Sequence, residues 1–229
     1  VSEMQKLQMR TQEGNNVAVI GIKGNFDDAQ SAVKRIFTDE RMAGKLSDKG
    51  YVLSSANSIN WGRLVPQIVY YFHAYLELVR KGEIKSSDKI NCAVPSGNFG
   101  DILAGYYAKL MGLPVNKLIC ASNSNKVLTD FFETGVYDKN REFYKTISPS
   151  MDILVSSNLE RLLFEISDRD ARFVREKMDE LKTSGKYVVP LDMLAKAGIA
   201  AGYADEEATK MAIDCFFDSY NYPLDTHTA

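Results

Sequence analysis

Apolar residues fall into two rhythms along this chain, and the changes between them mark its elements. Continuous β-branched or apolar runs at residues 17–22 (VAVIGI), 51–55, 90–94 (INCAV) and 117–122 (KLICAS) predict buried strands. Elsewhere the spacing lengthens to three and four. Ala29, Val33, Ile36 and Phe37 share one helical face, and Leu64, Ile68, Tyr71, Phe72, Tyr75 and Val79 mark a longer amphipathic helix closed by Gly82. A helix follows the 90–94 run and is stopped by Gly112 and Pro114, and KVLTDFFETG predicts another. Residues 39–50 (DERMAGKLSDKG) are polar and predict a loop or hinge. After Met151 the pattern predicts helices over MDILVSSNLERLLFEIS, RDARFVREKMDELKTSG and DEEATKMAIDCFFDSY. Strands alternating with helices at this spacing predict an α/β fold: an open, mostly parallel sheet with helices on both faces and a helix-rich C-terminal part.

Composition narrows the function by exclusion. The 229 residues carry a formal charge of −2, which offers no basic footprint for nucleic acid. No apolar run approaches the ~20 residues of a membrane span, and no signal-peptide pattern is present. Cys92, Cys120 and Cys215 are scattered and odd in number, against a disulfide framework or a metal site, so a reducing cytoplasmic compartment is expected. With only His73 and His227, neither a zinc site nor a Ser-His-Asp triad is expected, and His73 reads as structural. Asp168, Arg169, Asp170, Arg172 and Arg175 read as a solvated helix start. The chain starts at Val1 and stops at DTHTA without a polar tail, which reads as an internal piece of a longer protein.

Two polar concentrations remain. Where the 90–94 strand hands over to a helix, the chain reads PSGNFGD, with Gly97 and Gly100 three apart. This is either a tight turn or a loop whose bare backbone closes around an anion at a helix N-terminus. It lacks the Lys-Ser/Thr of a nucleotide P-loop and the third glycine of the dinucleotide fingerprint. Gly-Asn-Phe also occurs at residues 24–26, but Asp27 and Asp28 follow it and would repel a phosphate, so that copy reads as a helix cap. The second concentration is SSANSINWGR, residues 54–63. It reads as a Ser/Asn turn capping the long helix with Arg63 solvated, or as an anion site in which Arg63 offers a planar fork and Asn57 and Ser58 fill the remaining oxygens.

Together these residues resemble threonine synthase of the longer form, a pyridoxal-phosphate enzyme of fold type II. KGNFDDAQ, SSANSINWGRLVPQ, VPSGNFGDILAGYYAKLMGLP, SPSMDILVSSNLERLLFE and LDTHTA carry the resemblance in order over nearly the whole chain. It implies conversion of O-phosphohomoserine and water to threonine and phosphate by γ-elimination and β-hydration. It implies that Gly97, Asn98, Phe99 and Gly100 cradle the cofactor phosphate, with Asp101 starting the helix. Asn57, Ser58 and Arg63 would hold the substrate phosphate with Asn60 as orienter, and Thr228 would set a hydroxyl against the cofactor's ring nitrogen. Thr226 stands where the family usually has proline.

The resemblance also makes residues 1–50 the end of a mobile small domain and residues 51–229 most of a large cofactor-binding domain. The family's Schiff-base lysine follows a phenylalanine, and no Phe-Lys pair occurs here; Lys23 lies in the wrong block. The piece alone is therefore expected to be inactive, to lack bound cofactor and to self-associate through an uncovered face. The rival readings are another fold-type II lyase, or a non-catalytic threonine-synthase-like protein that binds phosphorylated amino acids.

Overall fold

The computed structural model describes residues 3–24 and 26–229, and the chain divides into two units, Val1–Ser54 and Ser55–Ala229. The first unit contains α1 (Glu3–Arg10), α2 (Phe26–Phe37) and α3 (Glu40–Ser47). Two of its expectations need correction. Residues 17–22 form no strand, and Ile20 is 83% exposed. A strand needs a neighbour to satisfy its ladder of N–H and C=O groups, and among the described residues this run has none. The expected loop at 39–50 is helix α3 instead. Asp39 caps it by accepting the Met42 N–H at 3.0 Å, and the Glu, Arg, Met, Ala, Lys and Leu that made the segment look polar are strong helix formers. α2 starts directly after Asn25, which lies outside the described residues, as does the cap expected there.

The second unit opens with residues 51–60 in irregular conformation, so the strand expected at 51–55 is also absent; Val52 is 91% exposed. Then come α4 (Trp61–Leu64), a 3-10 turn (Val65–Gln67) and α5 (Ile68–Lys81). The single helix expected from Leu64 is interrupted because Pro66 has no N–H to donate. The unit continues through β1 (Ile90–Pro95), α6 (Gly100–Leu110), β2 (Val115–Ser122), α7 (Val127–Thr134) and β3 (Val136–Asp138). After a 3-10 turn (Pro149–Met151) it runs through α8 (Leu159–Ile166), α9 (Ala171–Ser184), β4 (Lys186–Val188), α10 (Leu191–Ala195), β5 (Ile199–Tyr203) and α11 (Glu206–Tyr220).

β1, β2 and β5 form a parallel sheet in that order, while β3 and β4 pair antiparallel. The rows Cys92–Leu118–Ile199 and Val94–Cys120–Ala201 line up across the three strands and face the core. Against that face α6 buries Ile102, Leu103, Ala104 and Ala108, each large aliphatic side chain contributing about 1.5–3 kcal/mol. α7 and α8 add Leu128, Phe131, Leu159, Leu162 and Leu163. Burial pushes the Cys120 thiol up to about 12.

The helix expected from Met151 exists only as α8. Residues 152–158 are irregular, with Asp152, Ser156, Ser157 and Asn158 buried and three of the four hydrogen-bonded away from any helical ladder. Among the described residues no helix is long and apolar enough to cross a membrane.

Candidate functional site

The carboxyl ends of β1 and β2 lie side by side, Pro95 opposite Ala121, and the first leads into the 97–100 loop. Ser96 donates its N–H to the Ala121 carbonyl, the last tie to the sheet. Phe99 then turns into the left-handed region (φ 64°, ψ 12°), unusual for a side chain of its size. Its ring is buried and stacked on Phe132 at 6.0 Å, so core packing holds the turn that launches α6.

That turn leaves a row of donors. Gly100 gives its N–H to Asn98 Oδ1 at 2.9 Å. The N–H groups of Gly97, Asn98, Phe99, Asp101 and Ile102 find no acceptor among the described residues. Unspent N–H groups at the start of an eleven-residue helix, with the positive end of its dipole, form an anion-binding arrangement.

The two glycines serve a purpose the sequence did not show. A Cβ on Gly97 would stand 3.1 Å from the Met151 Cα and the Ser150 carbonyl, and one on Gly100 would stand 2.7 Å from Ser58 Oγ. They make room for two neighbouring protein segments. The Tyr71 hydroxyl donates to the Asp101 carbonyl at 2.9 Å. Desolvation raises the Asp101 carboxyl above its ordinary value, so it loses its charge earlier as pH falls and then repels an anion less.

The 57–63 segment folds as a capped turn against this loop. Asn60 Oδ1 accepts the Gly62 N–H at 3.0 Å and caps α4, while its Nδ2 donates to the Ser55 carbonyl at 2.9 Å. Asn57 Oδ1 accepts the Ile59 N–H at 3.0 Å. Arg63 is exposed; its Nε donates to the Ala56 carbonyl at 2.8 Å, and its two terminal nitrogens have no partner among the described residues. Ser58 is the junction of the two motifs, since its buried Oγ accepts from Asn98 Nδ2 at 3.3 Å and Asn158 Nδ2 at 3.1 Å.

The C-terminal turn is tied to the same loop through one residue. His227 Nε2 accepts the Ser150 N–H at 3.2 Å, so the ring proton sits on Nδ1 and is donated to Asp225 Oδ1 at 2.9 Å. The bonds from His227 hold the Asp225 carboxyl below its ordinary value. Thr228 and Ala229 donate their N–H groups to the Asp225 carbonyl at 3.0 Å each, and Thr228 is exposed. The carbonyl oxygen of Ser150, the residue that holds this turn, is also one of the atoms a Cβ on Gly97 would meet, at 3.1 Å. His73, in contrast, lies exposed on α5.

Three groups escaped sequence reasoning. Ser156 Oγ donates to the Gly97 carbonyl, Asn158 links Ser58 to Asn98, and Arg161 donates to the carbonyls of Ser58 and Ile59. Their only sequence signal is a Ser-Ser-Asn run directly before an amphipathic helix.

The parallel sheet with its donor loop at the strand ends is an α/β arrangement that the chain shares with solved threonine synthases. Along its whole length the chain is homologous to threonine synthases. It is 44% identical over 232 residues to threonine synthase of Pseudomonas aeruginosa, spanning all of this chain and 47% of that one. It is 43% identical over 233 residues to threonine synthase-like 1 of Homo sapiens, spanning all of this chain and 31% of that protein. Among solved structures, pyridoxal-phosphate-bound threonine synthase from Brucella melitensis superimposes with a TM-score of 0.84 at 43% identity, over 99% of this chain and 47% of that one. The chain thus spans about half the length of the threonine synthases it matches and about a third of threonine synthase-like 1. No family model matches.

Proposed function

We propose that these residues form the phosphate-handling part of a threonine synthase, which converts O-phosphohomoserine and water to threonine and phosphate. The observation that carries the reading is the row of unspent N–H groups at 97–99 and 101–102, packed against Ser58 of a second polar loop. One loop is suited to the phosphate of pyridoxal phosphate and the other to that of the substrate. When bound, the cofactor supplies the electron sink for the reaction.

The chain's own residues bind and orient. Gly97, Asn98, Phe99, Asp101 and Ile102 give backbone N–H groups to the cofactor phosphate, and the Asn98 side chain keeps the loop in shape. Thr228 presents its hydroxyl to the cofactor's ring nitrogen, on a turn anchored by His227 to Ser150. Arg63 turns its free terminal nitrogens on the substrate phosphate, with Asn57 and Ser58 beside it. Held there, phosphate leaves the γ-carbon with the C–O bonding pair, and the oxygen of water ends on the β-carbon.

Residues 1–50 belong on this reading to a mobile small domain and 51–229 to the large one. The site would operate in a reducing, cytoplasmic compartment, in line with three free cysteines. Residues 1–229 hold no Phe-Lys pair; on this reading they are inactive by themselves and bind the cofactor only weakly, through its phosphate. Homology to threonine synthase-like 1 supports a second reading, binding of phosphorylated amino acids without turnover.

Assaying phosphate and threonine release by the full-length protein separates the two. The first reading expects turnover, and Arg63→Ala to raise KM for O-phosphohomoserine by the equivalent of ~2–5 kcal/mol while pyridoxal-phosphate binding stays intact. Binding without release supports the second, and an unchanged KM assigns Arg63 to the solvated surface.

A further inference from the structure

We propose that Arg161 and Asn158 are positioning residues that lock the 57–63 loop and the 97–100 loop at one fixed spacing, so that two phosphate groups are held by a single rigid body. This deepens the assignment above and rests on it. The guanidinium of Arg161 is spent on protein. Nη1 donates to the Ser58 carbonyl at 3.1 Å and to Asn158 Oδ1, Nη2 donates to the Ile59 carbonyl at 2.6 Å, and the group lies 5.8 Å over the Trp61 ring. Among the described residues the terminal nitrogens of Arg63 have no partner, so the two arginines beside these loops divide the work: one is available to an anion, the other is not.

Asn158 completes the lock from the same end of α8. Fully buried, it donates Nδ2 to Ser58 Oγ and to the Asn98 carbonyl, both at 3.1 Å, and its N–H to that carbonyl at 3.0 Å. Asn98 in turn reaches Ser58 Oγ, so three side chains and one backbone carbonyl close a ring around the contact between the loops. There is no slack in it, because Gly100 already lies so close that a Cβ would stand 2.7 Å from Ser58 Oγ. A planar fork bridging two consecutive carbonyls and an amide oxygen is geometry that lysine, a point charge on a flexible stem, does not reproduce. Freeing the loops would leave each phosphate contact intact but blur the spacing between them, and misplacement of about 1 Å is worth on the order of 10²-fold in rate.

The test is a KM-against-kcat split in the full-length protein. Arg161→Lys is expected to lower kcat for O-phosphohomoserine by about 10- to 100-fold, with KM and pyridoxal-phosphate affinity changed less than about threefold. Arg63→Ala, in the same assay, moves KM. A rise in KM with kcat unchanged makes Arg161 an anion ligand and overturns the proposal, as does no change in either. Amide hydrogen exchange supplies a readout independent of turnover: Ile59 and Gly100 should exchange roughly tenfold faster in Arg161→Lys while β2 exchanges as before. Unaltered exchange overturns the lock even in a protein without turnover, whereas absent turnover with accelerated exchange upholds the lock and removes the assigned reaction. Should Arg161→Lys not fold, Asn158→Ser carries both measurements.

Discussion

Residues 17–22 and residues 90–95 carry the same kind of apolar run, yet only the second becomes a strand. Val94 is 4% exposed with Cys120 as its register partner, whereas Ile20 is 83% exposed with no partner among the described residues. Locally the two are interchangeable. What separates them is the neighbour: β1 has β2 beside it and α6 above it, and burial of that face supplies what the backbone pattern cannot. A strand pattern therefore states a capacity, and tertiary partners decide whether it is realised.

The comparison breaks most visibly in the core. Leu163→Ala, at a position with no exposure, should destabilise the second unit by about 2–5 kcal/mol, read from urea unfolding followed by Trp61 fluorescence. Trp61, the only tryptophan, lies in that unit, and Ile20→Ala should leave the same curve within about 0.5 kcal/mol. A large shift from Ile20→Ala would mean that the first run is buried after all. A smaller effect is expected from glycines in the two units. Gly100→Ala drives a methyl against Ser58 Oγ and should cost about 1–3 kcal/mol, while Gly21→Ala, with nothing within 4 Å, should be near neutral. Equal effects would show that the contact between the loops relaxes freely.

The same contrast explains what was legible in the sequence. The β1–loop–α6 unit and β2 were readable because strand run, glycine pair and helix stop follow one another within a short stretch. β5 was not, since GIAAGY has alanines and glycines in place of β-branched residues and becomes a strand only by pairing with β2. α3 was hidden by polarity, although its cap, Asp39, was in view. The 97–100 loop was readable as a glycine-bearing handover from strand to helix, but the close approach of Met151 to Gly97 and of Ser58 to Gly100 was not, because both come from distant parts of the chain. Arg161 escaped because, read in sequence, an arginine beside Glu160 resembles any solvated helix; only the fold brings it to Ser58 and Ile59, about one hundred residues earlier.

On the proposed reading, the second Gly-Asn-Phe copy binds a phosphate through its backbone and the first does not. Titrating the isotope-labelled chain with inorganic phosphate, and separately with pyridoxal phosphate, while following each amide by NMR tests it directly. Saturable shifts at residues 97–99 and 101–102, with Gly100 moving less because Asn98 already holds its N–H, and none at residues 24 and 28, are the predicted result. Shifts of equal size at both copies, or none at 97–102, would contradict it.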